Sequence, residues 1–314
     1  MNFYDVLFSA SYLTSVIRMM TPIVFVAMAA CIGRKANVMC IAYEGMMLFA
    51  ALGGALGSAM TQSLGLGALI GLSSGMLIAL IFAYFVLYLD TSAMLAGLAL
   101  NTLGSCGTIY LLYMILGRKS DSASLPGIAF PNVAIPFVED IPVLGTILSG
   151  HNLLSYIAVV AVILVYVFVY KTPIGLRIRS VGENPSAAVS LGIDVKKTKF
   201  LAMMISGFLA SMGGLFMSMA YIPYFTKDMT AGRGFMGIAA CNLAGGHPIG
   251  AFLCALAFGA ADALGNVAQT FRLPAQFANM IPYAVTIIGL CFIGDGEKDF
   301  RQIIKSLGRK KAKV

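Results

Sequence analysis

The run LGALIGLSSGMLIALIFAYFVLYL, from Leu66 to Leu89, carries no charge and is long enough to cross a ~30 Å hydrocarbon core as one helix. Few folds are open to such a segment, because inside a bilayer its backbone N–H and C=O groups must pair within the segment or in a closed barrel. LLSYIAVVAVILVYVFVY, from Leu153 to Tyr170, reads the same way. The rest of the chain agrees: 59% of its 314 residues are hydrophobic and 11% are charged, against about 25% charged in soluble domains. The predicted fold class is all-α, a polytopic transmembrane helix bundle forming a single membrane domain over 1–314. About nine membrane segments (eight to ten) are expected, at 13–33, 38–60, 66–89, 93–116, 153–171, 199–221, 233–246, 249–270 and 277–294. Those at 38–60 and 233–246 are short or Gly-rich, which leaves them open to being broken or re-entrant.

The basic residues fix an orientation. With nine spans, the 34–37 turn, the 90–92 turn, the loop 172–199, the 247–249 turn and the tail 295–314 fall on one side, and that side holds roughly 15 of the 21 Lys and Arg. The expectation is an N-terminus outside and a C-terminus in the cytoplasm, in a multi-pass protein of a cell membrane. The net charge of +8 then reports topology rather than a nucleic-acid partner. The first residues lack a basic region before the apolar run, so the first helix is expected to direct insertion. The six cysteines are scattered and read as small packing residues.

The loop 172–199, TPIGLRIRSVGENPSAAVSLGIDVKKTK, is a charged island, with Arg177, Arg179, Lys196, Lys197 and Lys199 opposed only by Glu183 and Asp194. Asn184 is a good N-cap and Pro185 suits the first helical position. A short helix should run through Ala187 and Ala188 to Leu191, and Gly192 can supply the left-handed residue that ends it. Basic residues flank this helix while the helix itself is small and weakly apolar, which suits docking into a groove on a partner protein. Attachment to lipid headgroups is the plainer alternative.

Catalytic equipment is sparse. There are two histidines, His151 and His247, neither in HExxH, and no Gly-Lys dipeptide from which a phosphate-binding GxxxxGK[ST] loop could be built. No metal site is expected, and ATP, if used, belongs to another chain. Ionisable or amide side chains at membrane depth mark function by default. Glu44, Asn101, Asn242, Asp262 and Asn266 are the candidates, either along a translocation pathway or as hydrogen-bonded braces of the bundle. Small residues four apart, at Gly53 and Gly57, Gly67, Gly71 and Gly75, and Gly246 and Gly250, predict close helix packing.

Val181 to Phe216, VGENPSAAVSLGIDVKKTKFLAMMISGFLASMGGLF, resembles the coupling loop and following helix of permeases from bacterial ATP-binding-cassette importers of the branched-chain amino acid, ribose and nucleoside class. Gly182, Asn184, Pro185, Ala187, Ala188, Gly192 and Ile193 fulfil its G-x-N-P-x-A-A-x-x-x-G-I pattern. Met229 to Leu264 is similar to the T-x-G-x-G-F and F-G-x-x-D-A-L segments of the nucleoside and simple-sugar branch. Asn37 to Leu56 is similar to its N-x-x-x-E-G-x-M-L element. The resemblance implies a permease subunit coupled to ATPase subunits through Gly182, Glu183, Asn184, Pro185, Ala187, Ala188, Leu191 and Gly192. It also implies a second homologous permease, identical or not, and an extracytoplasmic substrate-binding lipoprotein, with ATP and Mg held by the ATPases. The implied cargo is a nucleoside, with a simple sugar as the alternative; a secondary carrier or a channel is the competing class.

Overall fold

The computed structural model describes residues 10–133 and 150–270, with positions 280, 284 and 285. Two compact units divide the chain, Met1–Ala260 and Ala261–Val314. In order, the elements are α1 (Ala10–Lys35), α2 (Tyr43–Thr61), α3 (Leu64–Leu87), α4 (Ala93–Leu116), a two-residue antiparallel pair β1 (Asn132–Val133) and β2 (His151–Asn152), α5 (Leu153–Lys171), α6 (Pro173–Glu183), α7 (Pro185–Ser190), α8 (Val195–Phe216) running into a π-helical turn (Met217–Tyr221), α9 (Arg233–Leu243) and α10 (Pro248–Thr270).

Six helices among the described residues, α1, α3, α4, α5, α8 and α10, are long and apolar enough to cross a membrane. The expectation of nine segments meets three different outcomes beyond these six. The segment at 38–60 is a continuous helix of 19 residues from Tyr43, with residues 36–42 ahead of it irregular, and it is not one of the six. The segment at 233–246 is an 11-residue helix, about 16 Å long at 1.5 Å per residue and too short to cross alone. The segment at 277–294 and the tail 295–314 lie outside the described residues.

α1 and α2 form the centre. Ile23, Phe25, Met28 and Ile32 on α1 and Met46, Met47 and Leu48 on α2 are sealed from solvent. Around them, α3, α4 and α5 bury one side and present Leu69, Leu77, Leu80, Leu95, Leu103, Ile163 and Leu164 outward, the surface a lipid-facing helix needs. Lipid tails give apolar side chains no reason to associate, so cohesion rests on close packing of small residues. The four-apart glycines supply it where α2 meets α3: a Cβ on Gly71 would stand 2.8 Å from the Ala50 oxygen and the Gly54 nitrogen. Gly246 differs from that expectation. Its φ of +76° makes it a turn residue between α9 and α10 rather than part of a packing face.

One face of the bundle gathers the elements that the charge pattern grouped together. Lys196 and Phe200 at the start of α8 lie against Tyr88 at the end of α3. Arg34 at the end of α1 reaches Asn242, and His247 packs on Tyr166 and Tyr170 of α5. The opposite face is formed where residues 120–130 pair with 219–227, through Ser122 N to Phe225 O, Gly127 N to Pro223 O and Lys227 N to Ser120 O, each at 2.8 Å.

Candidate functional site

Two regions carry the polar residues, a buried centre around Glu44 and an exposed arm built from α6 and α7. The centre begins with the irregular stretch 36–42, which leads the chain from Lys35 back into the bundle. Tyr43 then donates from its hydroxyl to the Ala29 carbonyl at 3.3 Å, and Ser206 of α8 donates to the same carbonyl. Ala29 stands six residues before Lys35 on α1, so the Tyr43 hydroxyl reaches about 9 Å inside the end of α1.

Glu44 follows in the first turn of α2 and is 8% exposed. Its Oε1 accepts from the Thr230 hydroxyl at 2.5 Å and from the Gly232 amide at 2.9 Å, and its Oε2 accepts from the Gly234 amide at 2.7 Å. Gly232 is the N-cap residue of α9. The carboxylate therefore lies at the positive ends of two helix dipoles, its own and that of α9, and takes up amides that α9 would otherwise leave unpaired. Gly234 permits the approach, since a Cβ there would stand 2.8 Å from Glu44 Cα. The 38–60 and 233–246 segments thus meet through their N-terminal ends.

Asn101 of α4 has a similar role. Its Oδ1 accepts from Gly45 N and its Nδ2 donates to Ile41 O, both at 2.9 Å, fixing α4 to the chain where it enters α2. Asn242 stands at the far end of α9, exposed, with its Oδ1 accepting from Arg34 Nη1 at 3.0 Å. Asp262 and Asn266 lie on α10, within the second unit, half-buried and exposed respectively. Of the three candidates in the first unit, Glu44 and Asn101 meet at the start of α2, and Asn242 marks the far end of α9.

A cavity of about 560 Å³ opens beside this centre, lined by Arg34, Asn37, Cys40, Tyr43, Ile238 and Asn242 among others. Two features, one beside this cavity and one deeper in the bundle, have no local signal in the sequence. Cys31 of α1 and Cys241 of α9, far apart in the chain, are brought close to each other. In the π-helical turn, Ser218 is 1% exposed and its Oγ has no hydrogen-bond partner among the described residues. A π turn often marks a functional position, and an unpaired buried hydroxyl calls for a reason; no local sequence signal announces either.

The arm is built from a repeated signal. Thr172 caps α6 by accepting from Gly175 N at 3.1 Å, with Pro173 at the first helical position. Asn184 ends α6 and starts α7: its Oδ1 accepts from Ala187 N at 3.1 Å and from the Ser186 hydroxyl at 2.9 Å, with Pro185 next. α7 closes with Ile193 N bonded to Ala188 O at 3.0 Å and Gly192 N to Val189 O at 2.9 Å, Gly192 having φ +76°. That is the Schellman arrangement. Asp194 then caps α8 through Lys197 N at 3.0 Å, and this hydrogen bond holds its carboxyl below its ordinary value. Ala188 is buried, whereas Val189 and Leu191 are 61% and 77% exposed, giving α7 an outward apolar tip. Glu183 is also exposed. Gly182 seats the arm on the bundle, because a Cβ there would overlap the Lys35 carbonyl oxygen at the end of α1.

The family model described as branched-chain amino acid transport system, permease component, matches residues 12–290. A guanosine ABC transporter permease of Bacillus subtilis is 33% identical over 288 residues, covering 87% of this chain and 89% of its own. A nucleoside ABC transporter permease of Lactococcus lactis is 30% identical over 286 residues, covering 87% and 89%. A putative glucose ABC transporter permease of Haloferax volcanii is 30% identical over 270 residues, covering 85% and 80%. Among solved structures, the PsaBC complex of Streptococcus pneumoniae superposes with a TM-score of 0.51 over 88% of this chain and 90% of that one, at 14% identity, a likeness of fold. With most of its length matched, by a family model and by curated relatives, the chain belongs to the permease family of branched-chain amino acid ABC transport systems.

Proposed function

We propose that this permease carries a nucleoside into the cytoplasm by alternating access, driven by separate ATPase subunits that dock on the arm 172–199. The single observation that supports coupling best is the construction of that arm. α7 is capped at both ends, presents Val189 and Leu191 outward, and is tied through Gly182 to the end of α1. A push on the exposed tip therefore reaches α1, and through α1 the buried contacts of α2 and α9. ATP and Mg belong to the ATPases in this reading. A second permease, identical or homologous, would complete the pathway, and an extracytoplasmic lipoprotein would deliver the cargo.

The orientation that suits this reading places the arm, Arg34 and His247 in the cytoplasm and the N-terminus outside, since basic residues collect on the cytoplasmic side. A neutral cargo suits the bundle: Glu44 is engaged by three donors, and the Ser218 hydroxyl, deeper in the bundle against Gly54 of α2, is a neutral group that could meet a ribose hydroxyl once the helices open. A nucleoside is favoured by the two relatives named for guanosine and nucleoside transport. A simple sugar is the second reading, favoured by the glucose permease relative. Leu191→Glu tests the coupling role. It should leave membrane insertion intact while ATP hydrolysis no longer drives uptake; normal uptake by that variant would refute docking through α7.

A further inference from the structure

On the face that carries the arm, a separate pocket of about 320 Å³ lies between the end of α1 and α6, lined by Arg34, Lys35, Asn37, Arg179, Gly182 and Glu183. Three cations thus share one small space. The ion pair present among the described residues is Lys197 with Asp194, outside this pocket, and Glu183 lines the pocket without closing a bridge to any of the three. Lys35 and Arg179 instead stand 5.9 and 5.2 Å from the centre of the Tyr170 ring. An aromatic face positions cations without neutralising them. Like charges held together in this way are stabilised by an anion between them.

We propose that this pocket binds the phosphodiester headgroup of an anionic phospholipid. Depth and shape favour a lipid over an acidic side chain of a partner protein. Lys35 ends one membrane-length helix, and Tyr170 and Lys171 end another, so the pocket sits at the level where aromatic and basic residues meet headgroups. α6 has the build of an interfacial helix: Ile178 and Val181 face the bundle, while Leu176, on the opposite side, is 61% exposed beside Arg177. With Leu176 in the acyl boundary, Arg179, one turn further along the same side of α6, is carried to the phosphate, where a guanidinium can donate two parallel hydrogen bonds. The lipid would brace α6 against α1, at the base of the arm.

The test uses the full chain with whatever subunits copurify, in nanodiscs of phosphatidylcholine with or without phosphatidylglycerol. Native mass spectrometry reads the lipid retained per permease. The wild type should retain phosphatidylglycerol in preference to phosphatidylcholine. Lys35→Gln with Arg179→Gln should reduce that retention about thirtyfold, while Lys196→Gln with Lys197→Gln, which removes equal charge elsewhere, should retain the wild-type amount. The wild-type comparison needs no variant to fold, and equal retention of the two lipids there would overturn the proposal. So would unchanged retention in the pocket variant, or displacement of the lipid by millimolar inorganic phosphate, which would make the pocket a site for the free anion. Loss of copurifying ATPase subunits with lipid retention unchanged would assign the cations to a protein partner and equally overturn it.

Discussion

The Glu44 carboxylate and the Gly232 amide, 2.9 Å apart, tie the first turn of α2 to the first turn of α9. Glu44 also engages Thr230 and Gly234, so one side chain closes the N-terminal end of a helix that begins nearly two hundred residues later. This makes α9, which is too short to span a membrane, a piece positioned from inside the bundle. Its two ends are held by Glu44 and, through Asn242, by Arg34.

Glu44→Gln tests that brace. The amide is nearly the same size, but one acceptor oxygen becomes a donor facing a backbone N–H. The cost should be about 2 kcal/mol, the scale of an unsatisfied buried hydrogen-bonding group. A lowered midpoint of thermal unfolding in detergent is the expected result, with Glu44→Ala lower still. An unchanged midpoint in both would remove Glu44 from the list of braces.

Asn184→Ala removes the cap of α7 and should cost about 1 kcal/mol; Gly192→Ala forces a Cβ onto a residue at φ +76° and should cost a similar amount. Both losses are local. Hydrogen exchange of the amides between 187 and 193 should accelerate while α1 and α2 keep their protection, and uptake per ATP hydrolysed should fall. Unaltered exchange in that segment would mean the caps do not hold the helix.

The short helix could be read in the sequence because its determinants are local: Asn184, Pro185 and Gly192 are close neighbours, and their preferences are set by backbone geometry. α6 carries the same signal in Thr172 and Pro173, yet it was missed, because the surrounding charges made the stretch read as loop. The six membrane-length helices were legible for the same local reason, their lack of charge. Glu44 and Asn101 were legible as residues worth naming but not in their contacts. What distinguishes a brace from a pathway residue is a partner such as Gly232 or Ile41, brought near only by the fold. The early start of the segment at 38–60 failed because 36–42 is apolar enough to continue a helix, whereas its burial against α1 is a tertiary effect. Ser218 had no signal, since an unpaired hydroxyl is a property of its surroundings.

Ser218→Ala separates structure from transport. Its hydroxyl is buried without a partner among the described residues, so its removal should leave thermal stability unchanged or raise it slightly. If the hydroxyl meets cargo, half-maximal uptake should require several-fold more nucleoside. Unchanged uptake at unchanged stability would show that Ser218 is no part of the pathway.

Gly182→Val tests the seat of the arm. Any side chain there meets the Lys35 carbonyl, so α6 must move away from α1. The bundle should still assemble, since its centre lies among α1, α2, α3 and α8. ATPase subunits should still bind α7, but hydrolysis should no longer drive transport. Coupled uptake at the wild-type rate would contradict a mechanical path through Gly182.

The most direct measurement for the central claim is mass spectrometry of what copurifies with the chain from native membranes in mild detergent, followed by uptake in liposomes. The predicted result is an ATP-binding-cassette ATPase together with a permease partner, and nucleoside uptake that requires ATP. Recovery of this chain alone, transporting in liposomes without ATP, would contradict it.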